Sequence, residues 1–182
     1  MELEKVRLEI EELNLKAKGI IELCNDLRIT SQREIAGFHA GNAMSMAHMR
    51  TVAKQLSKLT IDPVVYSSVR GPLFVAFQEY VEAEVLLSIV DGKSLPELQV
   101  PAPCYFTGVC DAIGEVKRQF MIRLIAGKKQ EALKLLDRCL KLSSDVAKID
   151  SSPGVVPELK PKKDLVQRMV ESMLELAVRT SK

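Results

Sequence analysis

The stretch Leu73-Phe74-Val75-Ala76-Phe77-Gln78-Glu79-Tyr80-Val81-Glu82-Ala83-Glu84-Val85-Leu86-Leu87-Ser88-Ile89-Val90 decides the fold. Apolar side chains occupy nearly every angular position of an α-helix here, so the segment predicts a helix at the centre of a bundle. Asp62 suits an N-cap for this helix, and Pro63 suits its first position, where a missing N–H costs nothing. Asp91-Gly92 supplies the stop. Gly71-Pro72 marks a place for a bend.

Toward the N-terminus, Leu3, Val6, Ile10, Leu13, Ala17, Ile20, Leu23, Leu27, Ile35 and Phe38 recur with helical period against Glu and Lys, which predicts a helix over 2–39. Thr30-Ser31 is a weak point in it, and Gly41-Asn42 a stop. A second helix is expected over about 43–59. Toward the C-terminus, a loop carrying Pro96, Pro101 and Pro103 leads to a helix over 104–126, which Gly127 ends. Ala132, Leu135, Leu136, Cys139, Leu142 and Val146 make 128–149 amphipathic. Ser151-Ser152-Pro153-Gly154, with Pro157 and Pro161, forms the last loop before a helix over 162–179. No alternating strand pattern with turns around it occurs. The expected architecture is all-α, an antiparallel bundle of six to seven helices in one domain spanning 1–182.

Composition narrows the function classes. A chain of 182 residues is long enough to bury a substantial core, and with no Trp and 4 % aromatics that core is aliphatic. A net charge of +2 does not by itself argue for nucleic acid. Cys24, Cys104, Cys110 and Cys139 match neither zinc-ribbon nor disulfide-framework spacing and read as reduced thiols of a cytoplasmic protein. No apolar run approaches the roughly 20 residues that span a bilayer, and Met1-Glu2-Leu3-Glu4-Lys5 reads as a charged helix start rather than a targeting segment. Phosphate-binding Gly loops, serine nucleophile elbows and Glu-x-x-His iron motifs are all missing. Lys128-Lys129 and the 160–163 lysines read as solvated helix ends, and His48 as a surface residue.

Two acidic pairs interrupt this greasy background. Glu79 and Glu82 lie three residues apart, and Asp111 and Glu115 four apart in Val109-Cys110-Asp111-Ala112-Ile113-Gly114-Glu115. Each pair projects from one face of its helix, with about 4.5 Å and about 6 Å of axial rise between members. No Lys or Arg lies between Arg70 and Lys93, so the first pair has no local counter-charge. Lys117 and Arg118 partly compensate the second. Glu84 lies toward the opposite side of its helix and is left out of the set. A connection of about 12 residues makes the two helices neighbours, so the four carboxylates can converge. Hard oxygen donors of this kind suit Mg²⁺ or Mn²⁺. Solvated surface acids remain the ordinary alternative, and residue physics alone leaves both open.

Gln78-Glu79-Tyr80-Val81-Glu82-Ala83 and Gly108-Val109-Cys110-Asp111-Ala112-Ile113-Gly114-Glu115, followed by Arg118, resemble the signature helices of the translin superfamily, in particular its translin-associated factor X branch. Ser31-x-Arg33-x-Ile35-x-x-x-His39 is a looser third correspondence. The resemblance implies an all-α fold, a homo-oligomeric and roughly octameric shell, and Mg²⁺-dependent endoribonuclease activity on RNA held inside it. It implies catalytic roles for Glu79, Glu82 and Asp111, with Glu115 supporting the metal. Arg33, His39 and Arg118 are expected to contact the RNA backbone, and a closed shell favours single-stranded RNA. The short loops point to an archaeal-type member. Two rivals stand beside this reading: a nucleic-acid-binding scaffold without catalysis, and an all-α nucleoside triphosphate pyrophosphatase, whose second pair runs Glu-x-x-Asp rather than Asp-x-x-x-Glu.

Overall fold

The computed structural model describes residues 2–152, 154–156 and 158–180, and within them every regular element is a helix. In chain order these are α1 (Glu2–His39), α2 (Ala47–Ser57), α3 (Pro63–Val90), α4 (Ala102–Ile125), α5 (Lys129–Lys148) and α6 (Leu159–Arg179). The predicted all-α bundle is therefore the observed architecture, with six helices. The helix starts and stops follow local chemistry. Asp62 accepts a hydrogen bond from the Val64 N–H at 2.8 Å, capping α3, and Pro63 takes its first position. Gly41, Gly92 and Gly127 follow the ends of α1, α3 and α4 with positive φ, the backbone state that Gly reaches without strain.

Three details depart from expectation. The Thr30-Ser31 weak point does not interrupt α1, because the Ser31 hydroxyl turns inward and donates to the Leu27 carbonyl at 2.8 Å. The second helix begins four residues later than expected. The chain before it is tied to α1 instead, through the Ser45 N–H donating to the Glu34 carboxylate at 2.7 Å. The last helix begins three residues earlier, taking Pro161 into its first turn. Proline fits there because the first-turn amides have no helical acceptor in any case. This brings Lys162 onto a regular helical turn.

The central helix is α3, packed mainly against α1 and α4, with α5 and α6 closing over α4. Phe120, Leu27, Met49, Leu86, Ile113 and Met173 are among the largest fully buried side chains, drawn from five helices, and the apolar core is one cluster. All four cysteines are buried and free. Burial pushes the Cys110 and Cys139 thiols up to about 12, so both stay protonated and unreactive at neutral pH. Among the described residues, no helix is long and apolar enough to cross a membrane.

Candidate acidic site between α3 and α4

The site exists because α3 and α4 nearly touch. A Cβ placed on Gly108 would lie 2.6 Å from the Gln78 carbonyl oxygen and 2.6 Å from the Val81 Cβ. Only a residue without a side chain allows this approach, which sets Asp111, one turn further along α4, against Gln78 on α3. The Gln78 amide donates to Asp111 Oδ2 at 2.7 Å, stitching the two helices together at the acids.

Glu82 sits in the middle of the cluster. Burial, followed by the charges of Asp111, Glu79 and Glu115, pushes its carboxyl from 4.5 up to about 8, and Lys162 offsets only part of this. All three other predicted acids are therefore close enough to act on Glu82, so the structure brings the four together. Among the described residues, Glu82 receives no hydrogen bond and no ion pair.

The other three acids are already engaged. The Gln32 amide on α1 donates to Glu79 at 2.9 Å. Asp111 is held by Gln78 and by the Lys162 ammonium on α6, 2.5 Å from Oδ1. Glu115 is paired with His39 Nε2. Behind that contact runs a chain of donors: Arg123 Nη1 donates to Gln119 Oε1 at 3.1 Å, and the Gln119 amide lies 2.8 Å from His39 Nδ1. With Nδ1 accepting from Gln119, the ring proton belongs on Nε2, where it donates to Glu115. As they stand, no three His, Cys, Asp or Glu side chains among the described residues form a ready metal cage. The donor chemistry suits a hard divalent ion, and the unpartnered Glu82 among three carboxylates shows a deficit of positive charge. The side chains that would ligate are nevertheless occupied by protein donors.

Several sequence expectations need correcting. His39 was expected on the RNA, but its side chain is only 2 % exposed and lies beneath Glu115, because Gln119 and Glu115 satisfy both ring nitrogens. Lys117 and Arg118 were expected to compensate Asp111 and Glu115. The observed partners are Lys162 and His39, since α6 and α1 supply the neighbours that α4 cannot reach on its own face. Lys162 was placed among solvated lysines, yet it is 14 % exposed. Arg33 and Arg118 are exposed, Arg33 at 71 % with its guanidinium 3.9 Å from Glu34. Glu84 was rightly set aside: its buried carboxylate takes two bonds from Arg50, at 2.6 and 2.8 Å, and one from the Tyr80 hydroxyl at 3.1 Å. His48 is a surface residue paired with Asp26. The sequence reading missed Gln32, Gln119 and Lys162 as site residues. Gln119 lies one helical turn beyond Glu115 and was legible; nothing near Gln32 or Lys162 in the chain marks them.

The six-helix bundle has the same fold as solved structures of C3PO proteins. The crystal structure of AfC3PO matches 100 % of this chain and 97 % of its own, with a TM-score of 0.82 and 24 % identity. That of apo-NeC3PO matches 98 % of this chain and 96 % of its own, with a TM-score of 0.83 and 23 % identity. The structure of an AfC3PO–duplex RNA complex matches over 100 % and 97 % with a TM-score of 0.75 and 23 % identity. No protein-family model matches the sequence, and no curated relative matches it. At these identities the likeness shows the fold, which accords with the resemblance drawn from the two acidic motifs.

Proposed function

We propose that this chain is a Mg²⁺-dependent endoribonuclease that cleaves RNA phosphodiester bonds, with Mn²⁺ as an alternative ion. The observation that carries the reading is Glu82: a half-buried carboxylate with no protein donor, beside three other acids. Such a group is costly in any chain that does not use it to bind a cation or move a proton. In this reading Glu79, Glu82 and Asp111 hold the ion, and Glu115 completes the set. A divalent ion bound there supplies neutralisation of the charge developing on a phosphoryl group and lowers the pKa of a coordinated water. His39, fixed by Gln119 and Arg123, keeps the Glu115 carboxylate in place. Exposed Arg33 and Arg118 contact the RNA backbone, and His39 acts from beneath rather than at the RNA.

RNA as the partner draws support from AfC3PO, which has been captured with duplex RNA. A closed homo-oligomeric shell, octameric by family resemblance, favours single-stranded substrate. The assay therefore needs both forms. Labelled single-stranded and duplex RNA are incubated with Mg²⁺ and either wild type or Glu82→Ala. Loss of cleavage by more than about 100-fold in the variant is expected; equal activity in the two proteins removes the assignment.

A second reading, a nucleic-acid-binding scaffold without catalysis, has one observation in its favour: Glu79, Asp111 and Glu115 already have protein partners. Metal-independent binding with no cleavage in any divalent ion is its signature. The pyrophosphatase reading gains nothing from the fold.

A further inference from the structure

We propose that Lys162 is a built-in counter-cation which a divalent ion must displace from Asp111, so that loading of the acidic site is coupled to a movement at the start of α6. The inference rests on the metal reading above and adds to it how the ion gains entry.

Lys162 already neutralises one acid of the site. It comes from the first turns of α6, 51 residues beyond Asp111, and is the only Lys or Arg within ion-pair distance of the four acids among the described residues. Its ammonium lies on Asp111 Oδ1, while Gln78 occupies Oδ2. Both oxygens of the one aspartate in the set are thus spoken for. An ion bridging α3 and α4 needs at least one of them. The Gln78 backbone is fixed at the close α3–α4 contact with Gly108, and its side-chain amide is neutral, so it can stay beside Asp111 when a cation enters. Lys162 sits on a flexible four-carbon stem on a more peripheral helix, and it already has a second acceptor nearby, Glu158 Oε2 at 4.0 Å, one turn earlier on α6 and largely exposed. Swinging from Asp111 toward Glu158 breaks the tie between the start of α6 and α4 and leaves the core in place. The exchange also balances charge: the half-buried acids lose one monovalent cation and gain a divalent one, where solvent screens their mutual repulsion only in part. It further accounts for the absence of a ready cage: Glu79, Asp111 and Glu115 are each held by protein donors, Asp111 by two.

The test uses Mn²⁺ binding, read from the loss of the free-ion paramagnetic resonance signal at fixed pH, together with hydrogen exchange of 158–166. Lys162→Gln, which keeps a neutral donor to Asp111, and Lys162→Met are compared with wild type and with Lys162→Arg. The expected result is about tenfold or tighter Mn²⁺ binding in Gln and Met, and weaker binding in Arg, whose bidentate fork grips a carboxylate harder. Mn²⁺ should also accelerate exchange at 158–166 in wild type but not in Lys162→Met, whose side chain makes no bond to Asp111 for the ion to break. The exchange measurement separates displacement from simple charge removal, which would tighten binding without disturbing α6. Equal or weaker Mn²⁺ affinity in Lys162→Gln, or unchanged exchange in wild type on Mn²⁺ addition, overturns the inference alone. Absence of Mn²⁺ binding in every one of these proteins overturns it together with the metal reading.

Discussion

Replacing Glu82 by Gln should stabilise the ion-free protein at alkaline pH and leave it unchanged in acid. In the folded chain the Glu82 carboxyl titrates at about 8, whereas in the unfolded chain it returns to 4.5. Between those values the folded state holds a proton that the unfolded state has released. Stability contributed by this site is therefore intact below about pH 4.5, declines as pH rises, and reaches its lowest level above about pH 8. A gap of about 3.5 between 8 and 4.5, at 1.36 kcal/mol per pH unit, corresponds to about 5 kcal/mol. Relaxation and partial solvent access at the cluster reduce that to a few kcal/mol, and for a chain of this size each kcal/mol moves Tm by about 2–4 °C. Gln has the shape of Glu and never ionises, so it escapes the cost. The assay is thermal unfolding followed by circular dichroism, in EDTA, from pH 5 to pH 9. The two melting temperatures should coincide near pH 5 and separate progressively, with the variant about 5–10 °C higher at pH 9. Curves that stay parallel, or a variant advantage that grows toward acid, would refute the electrostatic account of Glu82.

Gly108→Ala should cost about 1–3 kcal/mol or more in urea unfolding, because the new methyl meets the Gln78 carbonyl at 2.6 Å and must push α3 from α4; a change below about 0.5 kcal/mol would mean that the contact is not tight. Arg50→Met should cost about 1–3 kcal/mol by stranding the Glu84 carboxylate, only 4 % exposed, with Tyr80 as its remaining donor. RNA cleavage per folded molecule should not change in that variant, and a fall in activity would place Glu84 in the site after all. His39→Phe should lower the cleavage rate about 10–100-fold with RNA affinity unaltered, since it removes the support of Glu115. Weakened RNA binding with an intact rate would return His39 to the backbone-contact role.

The fold was legible because its punctuation is local. Asp62-Pro63, Gly41, Gly92 and Gly127 state where helices begin and end through backbone preferences that need no tertiary partner. The all-round apolar character of 73–90 told which helix is central. Two boundaries slipped: the tie from Ser45 to Glu34 delays α2, and α6 absorbs Pro161 into its first turn, where proline is tolerated. The acids of the site were legible from spacing, because carboxylates are conspicuous among Val, Ile and Ala. Their partners were not. Gln32 reaches Glu79 across 47 residues, His39 reaches Glu115 across 76 and Lys162 reaches Asp111 across 51. A single lysine in a run of lysines carries no mark of the one that turns inward. His39 shows the complementary failure: a polar residue in a motif reads as a contact to ligand, whereas the fold uses both its nitrogens internally.

The most direct test of the central claim, that four carboxylates of α3 and α4 converge to hold a divalent cation, is the anomalous signal from crystals soaked in Mn²⁺. The account predicts a peak enclosed by Glu79, Glu82, Asp111 and Glu115, with Lys162 withdrawn from Asp111. A map without a peak between α3 and α4, or with Mn²⁺ bound only elsewhere on the surface, contradicts it.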